Sequence, residues 1–262
     1  MIDQIFPSNL TFMEELLFDC DPSKPLHLLL ASPGGDGETA IRMVRSMQSR
    51  CTELTVVLPD MAKSAATLIC LGADSIVMGP AGDLGPVDPQ FQLGGRSLAS
   101  AKEIVAAVDE AEDRVKQNPE TYPLFAGLLA DVNMLMVEQA RNALDRTGAM
   151  VREALGCLAS RTAADVDALA KALQAPLIDD PTSHSAVIPV GQAKAWGLPA
   201  AAADPASEEW GIIWSLWTRY FTMGCFPAGP VAIYEGAPCV SCHPTRQLTS
   251  PHLNLARHSS AE

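Results

Sequence analysis

The chain has 262 residues, 48% of them hydrophobic and 5% aromatic, which is enough for one large domain with a core of Ala, Leu, Val, Ile and Met. Eighteen Lys plus Arg against thirty-one Asp plus Glu leave a formal charge of −13, which argues against nucleic acid or an anionic membrane surface as the main partner. No window reaches about eighteen uninterrupted apolar residues, and Met1-Ile2-Asp3-Gln4-Ile5-Phe6-Pro7 has neither a basic nor an apolar leader segment, so a cytoplasmic chain with no membrane span is expected.

In chain order, Leu10, Met13, Leu16 and Leu17 fall at helical spacing within 9–20, and Asp21-Pro22-Ser23-Lys24-Pro25 stops that helix. Leu26-His27-Leu28-Leu29-Leu30-Ala31 reads as a strand of nearly continuous apolar character, as in a sheet covered on both faces, with His27 a packed strand residue. It ends in Ser32-Pro33-Gly34-Gly35-Asp36-Gly37. A helix follows with Ala40, Ile41, Val44 and Met47 on one face and Asp36 and Glu38 suited to its N-terminus. Two readings of this turn compete. Gly35-x-Gly37-x-x-Ala40 fits a dinucleotide-binding pattern, with Asp60 about where a ribose-binding acid would sit. A glycine pair at a strand end can equally aim bare N–H groups at an oxyanion.

Leu54-Thr55-Val56-Val57-Leu58 reads as a buried strand, followed by Pro59-Asp60-Met61-Ala62-Lys63-Ser64 and a small-residue helix up to Gly72. Ser64 thus lies where a strand ends and a helix begins, beside free backbone N–H groups and the positive end of a helix dipole. That position suits a nucleophile with its oxyanion site. It also suits a plain N-cap serine accepting from Ala66 or Thr67. Ser75-Ile76-Val77-Met78 is a third strand, so residues 26–78 read β-α-β-α-β, a mostly parallel sheet with its ligand crevice at the strands' carboxyl ends.

The Ser-Pro-Gly-Gly turn, the Ser64 helix ending in Leu71-Gly72-Ala73-Asp74, and Leu84-Gly85-Pro86-Val87-Asp88-Pro89-Gln90 together resemble the serine dehydrogenase proteinase family of the Clp/crotonase fold. That family is related to the Clp protease proteolytic subunit and to signal peptide peptidase A. The similarity is best over residues 26–92 and resumes at about 177–199. It implies an α/β spiral of β-β-α units, a serine-peptidase site acting on a peptide or protein substrate, and a homo-oligomer.

Residue by residue, the resemblance implies Ser64 as nucleophile and the N–H groups of Ala65 and of Gly34 or Gly35 as oxyanion hole. It further implies Asp88 and His184 as the remainder of a triad in the order Ser, Asp, His. Asp88 between Val87 and Pro89 could also be a turn former. His184 is followed by Ser185 where relatives commonly carry Asp, and Gly191-Gln192 replace a usual acidic pair, so a local carboxylate to orient His184 is missing. A surface loop histidine is the other reading. The signal peptide peptidase A relatives use a Ser–Lys dyad, which makes Lys102 an alternative base. Lys63, adjacent to Ser64, is expected to point away from it.

Residues from about 96 to 174 are helical by composition and read as an insertion, with one helix over 98–117, a longer one from Leu124 towards Arg146, and a capping box at Thr162-Ala163-Ala164-Asp165. Residues 1–199 are accordingly expected to form the peptidase domain. Residues 200–262 are expected to hold a linker at 200–206, a Trp-rich helix and a disordered tail. Trp210, Ile213, Trp214, Trp217 and Phe221 recur at helical spacing in that helix. Cys20, Cys51, Cys70 and Cys157 lie in apolar or helical contexts, as reduced core thiols do. Cys239-Val240-Ser241-Cys242-His243 has haem-attachment spacing but no export signal, and a lone C-x-x-C lacks a second pair for zinc, so no cofactor and no metal are expected. The sequence supports a serine peptidase first. A Clp-fold assembly or binding protein without activity, or a crotonase-type acyl-thioester enzyme, are the alternatives.

Overall fold

The computed structural model describes residues 1, 4–93, 97–180, 183, 185–225, 233–234 and 248–249. Helix α1 (Pro7–Leu17) leads into strand β1 (Leu26–Leu29), helix α2 (Gly37–Gln48), strand β2 (Leu54–Leu58), the short strand β3 (Met61–Ala62), helix α3 (Ala65–Leu71) and strand β4 (Ser75–Met78). The main sheet pairs β1 with β2 and β2 with β4, all parallel, Val56 standing between Leu28 and Ile76. Both α-crossovers therefore return the chain to a parallel neighbour, as the alternating pattern requires. β2 is buried at every position, which its unbroken apolar run allows. β1 is different. His27 is exposed and its three neighbours are half-buried, because β1 is an edge strand whose one strand partner among the described residues is β2.

The other edge of the sheet corrects the sequence reading. Ala200–Ala202, expected to be linker, forms strand β8 and pairs parallel with β4, Ile76 opposite Ala200 and Met78 opposite Ala202. Alanine composition carries no strand signal. The row of N–H and C=O groups along β4 needs partners, and Ile76 N donates to Pro199 O while Ala203 N donates to Met78 O.

A second, shorter layer of pairing crosses the carboxyl ends of these strands. β3 runs parallel to β5 (Asp83–Leu84), with Ser32 bridged to Ala62 on one side and Leu84 bridged to Ile188 on the other. Farther along, β6 (Gln90–Leu93) and β7 (Ser97–Ser100) form an antiparallel hairpin where a helix was expected from residue 98. The helix begins only at Ala101, because Ser100 caps it. Its hydroxyl accepts from Glu103 N, while Glu103 reaches back to Ser100 N.

Helix α4 (Ala101–Gln117) is followed by α5 (Tyr122–Leu128), α6 (Met134–Leu155) and α7 (Ala163–Gln174), so the single long helix read from Leu124 is two helices separated by a turn. The Asn133 side chain accepts from Met136 N and opens α6, and the expected box at Thr162 and Asp165 opens α7. This helical region is not a separate lobe. Val151, Ala154 and Leu155 of α6 join Leu173 in the main core with Leu68, Ile69 and Leu71, while the start of α6 meets α4 in a satellite core of Ala101, Ile104, Val137 and Ala140.

After α8 (Val190–Ala195) and β8, helix α9 (Glu208–Thr222) returns to the sheet. It touches down at two points. Trp210 lies over Gly79, where an added Cβ would stand 2.2 Å from its ring, and Trp217 packs on Ala31. Trp214 and Phe221, expected on the same face, are 43% and 53% exposed. Among the described residues no helix is long and apolar enough to cross a membrane. Cys239 and Cys242 lie outside the described residues. Cys70 is fully buried, and burial pushes its thiol well above the usual range, as an inert core cysteine requires.

Candidate active site

The residues between β3 and α3 carry an unusual backbone. Ser64 has φ 51° and ψ −118°, and among the described residues it alone combines a side chain with positive φ. Such a conformation costs on the order of 1–3 kcal/mol and persists only where the surroundings impose it. Here the surroundings are identifiable. Lys63 N donates to Ser32 O, Ser64 N donates to Pro86 O, and Thr67 N donates to Ser64 O, so the turn is clamped from three sides. Ser64 occupies the N-cap position of α3, yet its side chain makes no cap hydrogen bond. The plain N-cap reading fails, and the hydroxyl is left to the cleft in front of it.

Gly34 explains why the turn opposite has no side chains. Its φ is 98°, and a Cβ there would lie 2.6 Å from Lys63 O and 2.8 Å from Ser64 Cβ. Glycine is required both for conformation and for space. The two glycines differ as donors. Gly34 N donates to Ser32 Oγ at 3.1 Å, whereas Gly35 N and Ala65 N carry no hydrogen bond among the described residues. Gly35 (φ 142°) is held by Ile5, whose N donates to Gly34 O and whose O accepts from Asp36 N. The Asp36 carboxylate caps α2 through Thr39 N, as its position in the sequence suggests, and so is occupied there. Of the N–H groups expected at the oxyanion hole, those of Gly35 and Ala65 are thus the ones without a hydrogen bond among the described residues.

The loop after β5 supplies the facing wall. Gly85 N donates to Ala62 O, Val87 N donates to Leu177 O, and Asp88 is buried with Gln90 Nε2 donating to its Oδ2 at 3.1 Å. Gly85 also makes room for Lys63, whose Cδ would lie 2.2 Å from an added Cβ. The Lys63 ammonium runs beneath the turn to Asp83 Oδ2 at 2.6 Å, Ala186 O at 3.0 Å and Leu84 O at 3.2 Å. Its three hydrogens match those three acceptors. This lysine ties β5 and the 186–188 segment to the base of the Ser64 turn. Lys102, weighed as an alternative base, donates to Asp179 O at 2.8 Å and Ile178 O at 3.2 Å and does not line the cleft.

A cleft of about 800 Å³ collects these parts, bringing Ser64, Gly34, Gly35 and Asp88 onto one surface with Asp60, Asp83 and Ser185. His184 lies outside the described residues. Its neighbour Ser185 borders the cleft. Sequence reasoning missed Asp60 as a cleft residue, having weighed it only as a ribose-binding acid. Its place between a buried strand and Ser64 was the available signal. The carboxyl of Asp60 is raised above the usual carboxylate range by burial first and by the charge of Asp83 second, with Lys63 partly offsetting them.

Comparison with known proteins bears on this arrangement. Two uncharacterised proteins of Methanocaldococcus jannaschii are similar. MJ0137 is 33% identical over 120 residues, covering 45% of this chain and 38% of that protein. MJ1495 is 30% identical over 106 residues, covering 37% of this chain and 36% of that protein. The chain thus spans well under half the length of these relatives. Among solved structures, the 1510-N membrane-bound stomatin-specific protease, in a serine-to-alanine form, aligns with 19% identity and a TM-score of 0.34 over 40% of this chain and 56% of that one. The description of a ClpP-like SDH-type serine proteinase matches residues 18–200, which include every cleft residue named above and more than half of the chain, and the chain belongs to that family.

Proposed function

We propose that this protein is a serine peptidase that cleaves peptide bonds through an acyl-enzyme on Ser64. The observation that carries the reading is the strained Ser64 backbone, which holds an uncapped hydroxyl in the cleft that Gly34 and Gly35 also line. In the proposed mechanism Ser64 Oγ attacks the substrate carbonyl carbon while His184 takes the hydroxyl proton. The carbonyl oxygen, now an anion, is met by Gly35 N–H and Ala65 N–H at the start of α3. Collapse of the tetrahedral adduct breaks the C–N bond, and His184 returns the proton to the leaving amine. Water, deprotonated by His184, then releases the acid and restores Ser64. Asp88 is assigned to holding the imidazole in the right tautomer, and Gln90 to fixing that carboxylate through its amide.

Steady-state hydrolysis of an unstructured protein substrate tests the assignment. His184→Ala should lower kcat by about two to four orders of magnitude, as loss of a general base does. Asp88→Asn should also lower it severely, while Lys102→Ala should not. Full activity in His184→Ala together with loss in Lys102→Ala would mean that a Ser–Lys dyad runs the site instead.

A further inference from the structure

The cleft contains a carboxylate that the proposed mechanism does not use. We propose that Asp60 determines substrate choice by receiving a lysine or arginine side chain of the peptide near the bond to be cleaved. The inference rests on the peptidase reading of the same cleft.

Asp60 stands between β2 and β3, its own carbonyl fixed by Asp83 N at 2.8 Å and its half-buried side chain lining the cleft that Ser64 lines. No described residue donates a hydrogen bond to its carboxylate. Lys63 is the natural candidate, but its three hydrogens are taken by Asp83, Leu84 O and Ala186 O. Among the described residues, the charged ones that line the cleft are Asp60, Asp83, Asp88 and Lys63. Because Lys63 and Asp83 neutralise each other, Asp60 and Asp88 leave the cleft negative. Asp88 accepts from Gln90 and is assigned to His184 in the proposed mechanism, which leaves Asp60 as the cleft carboxylate with no part in the chemistry.

A carboxylate partly removed from water and repelled by a second one is poorly placed until a cation arrives. The raised protonation range of Asp60 has that same origin. A substrate cation supplies the missing charge and hydrogen bonds, and such charge-assisted contacts are the stronger kind. Met61 and Ala81 line the same cleft and suit the methylene stem of such a side chain. The chain's formal charge of −13 favours approach of the same substrates.

The test uses the full chain, a small uncharged fluorophosphonate that labels Ser64, and short neutral peptides along which a single lysine is moved. Each lysine peptide is compared with its norleucine counterpart for protection of Ser64 from labelling. At one position lysine should protect at about tenfold lower concentration than norleucine, the scale of one charged hydrogen bond. Asp60→Asn should bring that ratio close to one, and Asp60→Glu should keep most of it. Each ratio is taken on one protein, so a general loss of activity cancels. No lysine advantage at any position, or an advantage unchanged in Asp60→Asn, would overturn the proposal while labelling of Ser64 left the peptidase reading standing. Absence of labelling would sink both.

Discussion

At residue scale the site is a set of local rules broken together. A serine at φ 51°, a glycine wedged against Ser64 Cβ, and a lysine threaded past a glycine would each be unfavourable alone. Together they hold an uncapped hydroxyl in the cleft that Gly34 and Gly35 also line. The strain is testable without any substrate. Ser64→Gly and Ser64→Ala both remove the hydroxyl, but glycine tolerates positive φ where alanine does not. The glycine variant should therefore unfold at higher denaturant than the alanine variant, by about 1 kcal/mol after allowing for glycine's greater unfolded-state entropy. Equal stability would mean that the surroundings do not strain this backbone. Ser64, Gly34, Gly35 and Asp88 were legible in the sequence because each sits in a short motif at a strand end. The difference between Gly34 and Gly35 as donors was not. It depends on Ser32 Oγ turning back to Gly34 N, a contact that motif spacing does not encode. Nor was the commitment of Lys63 to two carbonyls and Asp83, which needs β5 and the 186–188 segment in place.

At the scale of elements, β2 and β4 were legible to the residue, whereas β1, read to Ala31, ends at Leu29. β8 was hidden because its pairing is driven by the open edge of β4 and not by its own alanines. The periodicity of α9 announced a helix but not which residues it buries. A helix meeting the end of a sheet touches it at isolated points, and Trp210 and Trp217, two turns apart, are those points. The contacts have a bearing on the cleft. Trp217 packs on Ala31, next to the turn that carries Gly34 and Gly35. Trp210 covers Gly79, at the head of the loop that carries Ala81 and leads into Asp83 of β5. Trp210→Ala should cost about 3–5 kcal/mol of unfolding free energy in a urea titration, the range for emptying a large buried aromatic site. A loss below about 1 kcal/mol would show that α9 rests on the sheet without anchoring it.

For the whole molecule, two observations bear on the boundaries expected from composition. The sheet ends at Ala202, beyond the expected close of the peptidase domain at residue 199, and the later half of α6 belongs to the main core. We propose to read 1–202 as one peptidase unit with α9 docked against it, which the stability of Trp210→Ala also probes. The family match over 18–200 ends before α9, which begins at Glu208. Expectation and structure agree best around the candidate cleft, because strand ends, glycine turns and the Leu84–Gln90 loop are constrained by backbone geometry and leave a sequence signature. They differ where composition was the only guide. The central claim is that Ser64 is a nucleophile, and fluorophosphonate labelling followed by peptide mapping tests it most directly. The protein should carry one adduct, on the peptide containing Ser64, and Ser64→Ala should carry none; a folded protein that stays unlabelled, or one labelled at a different serine, would contradict the account.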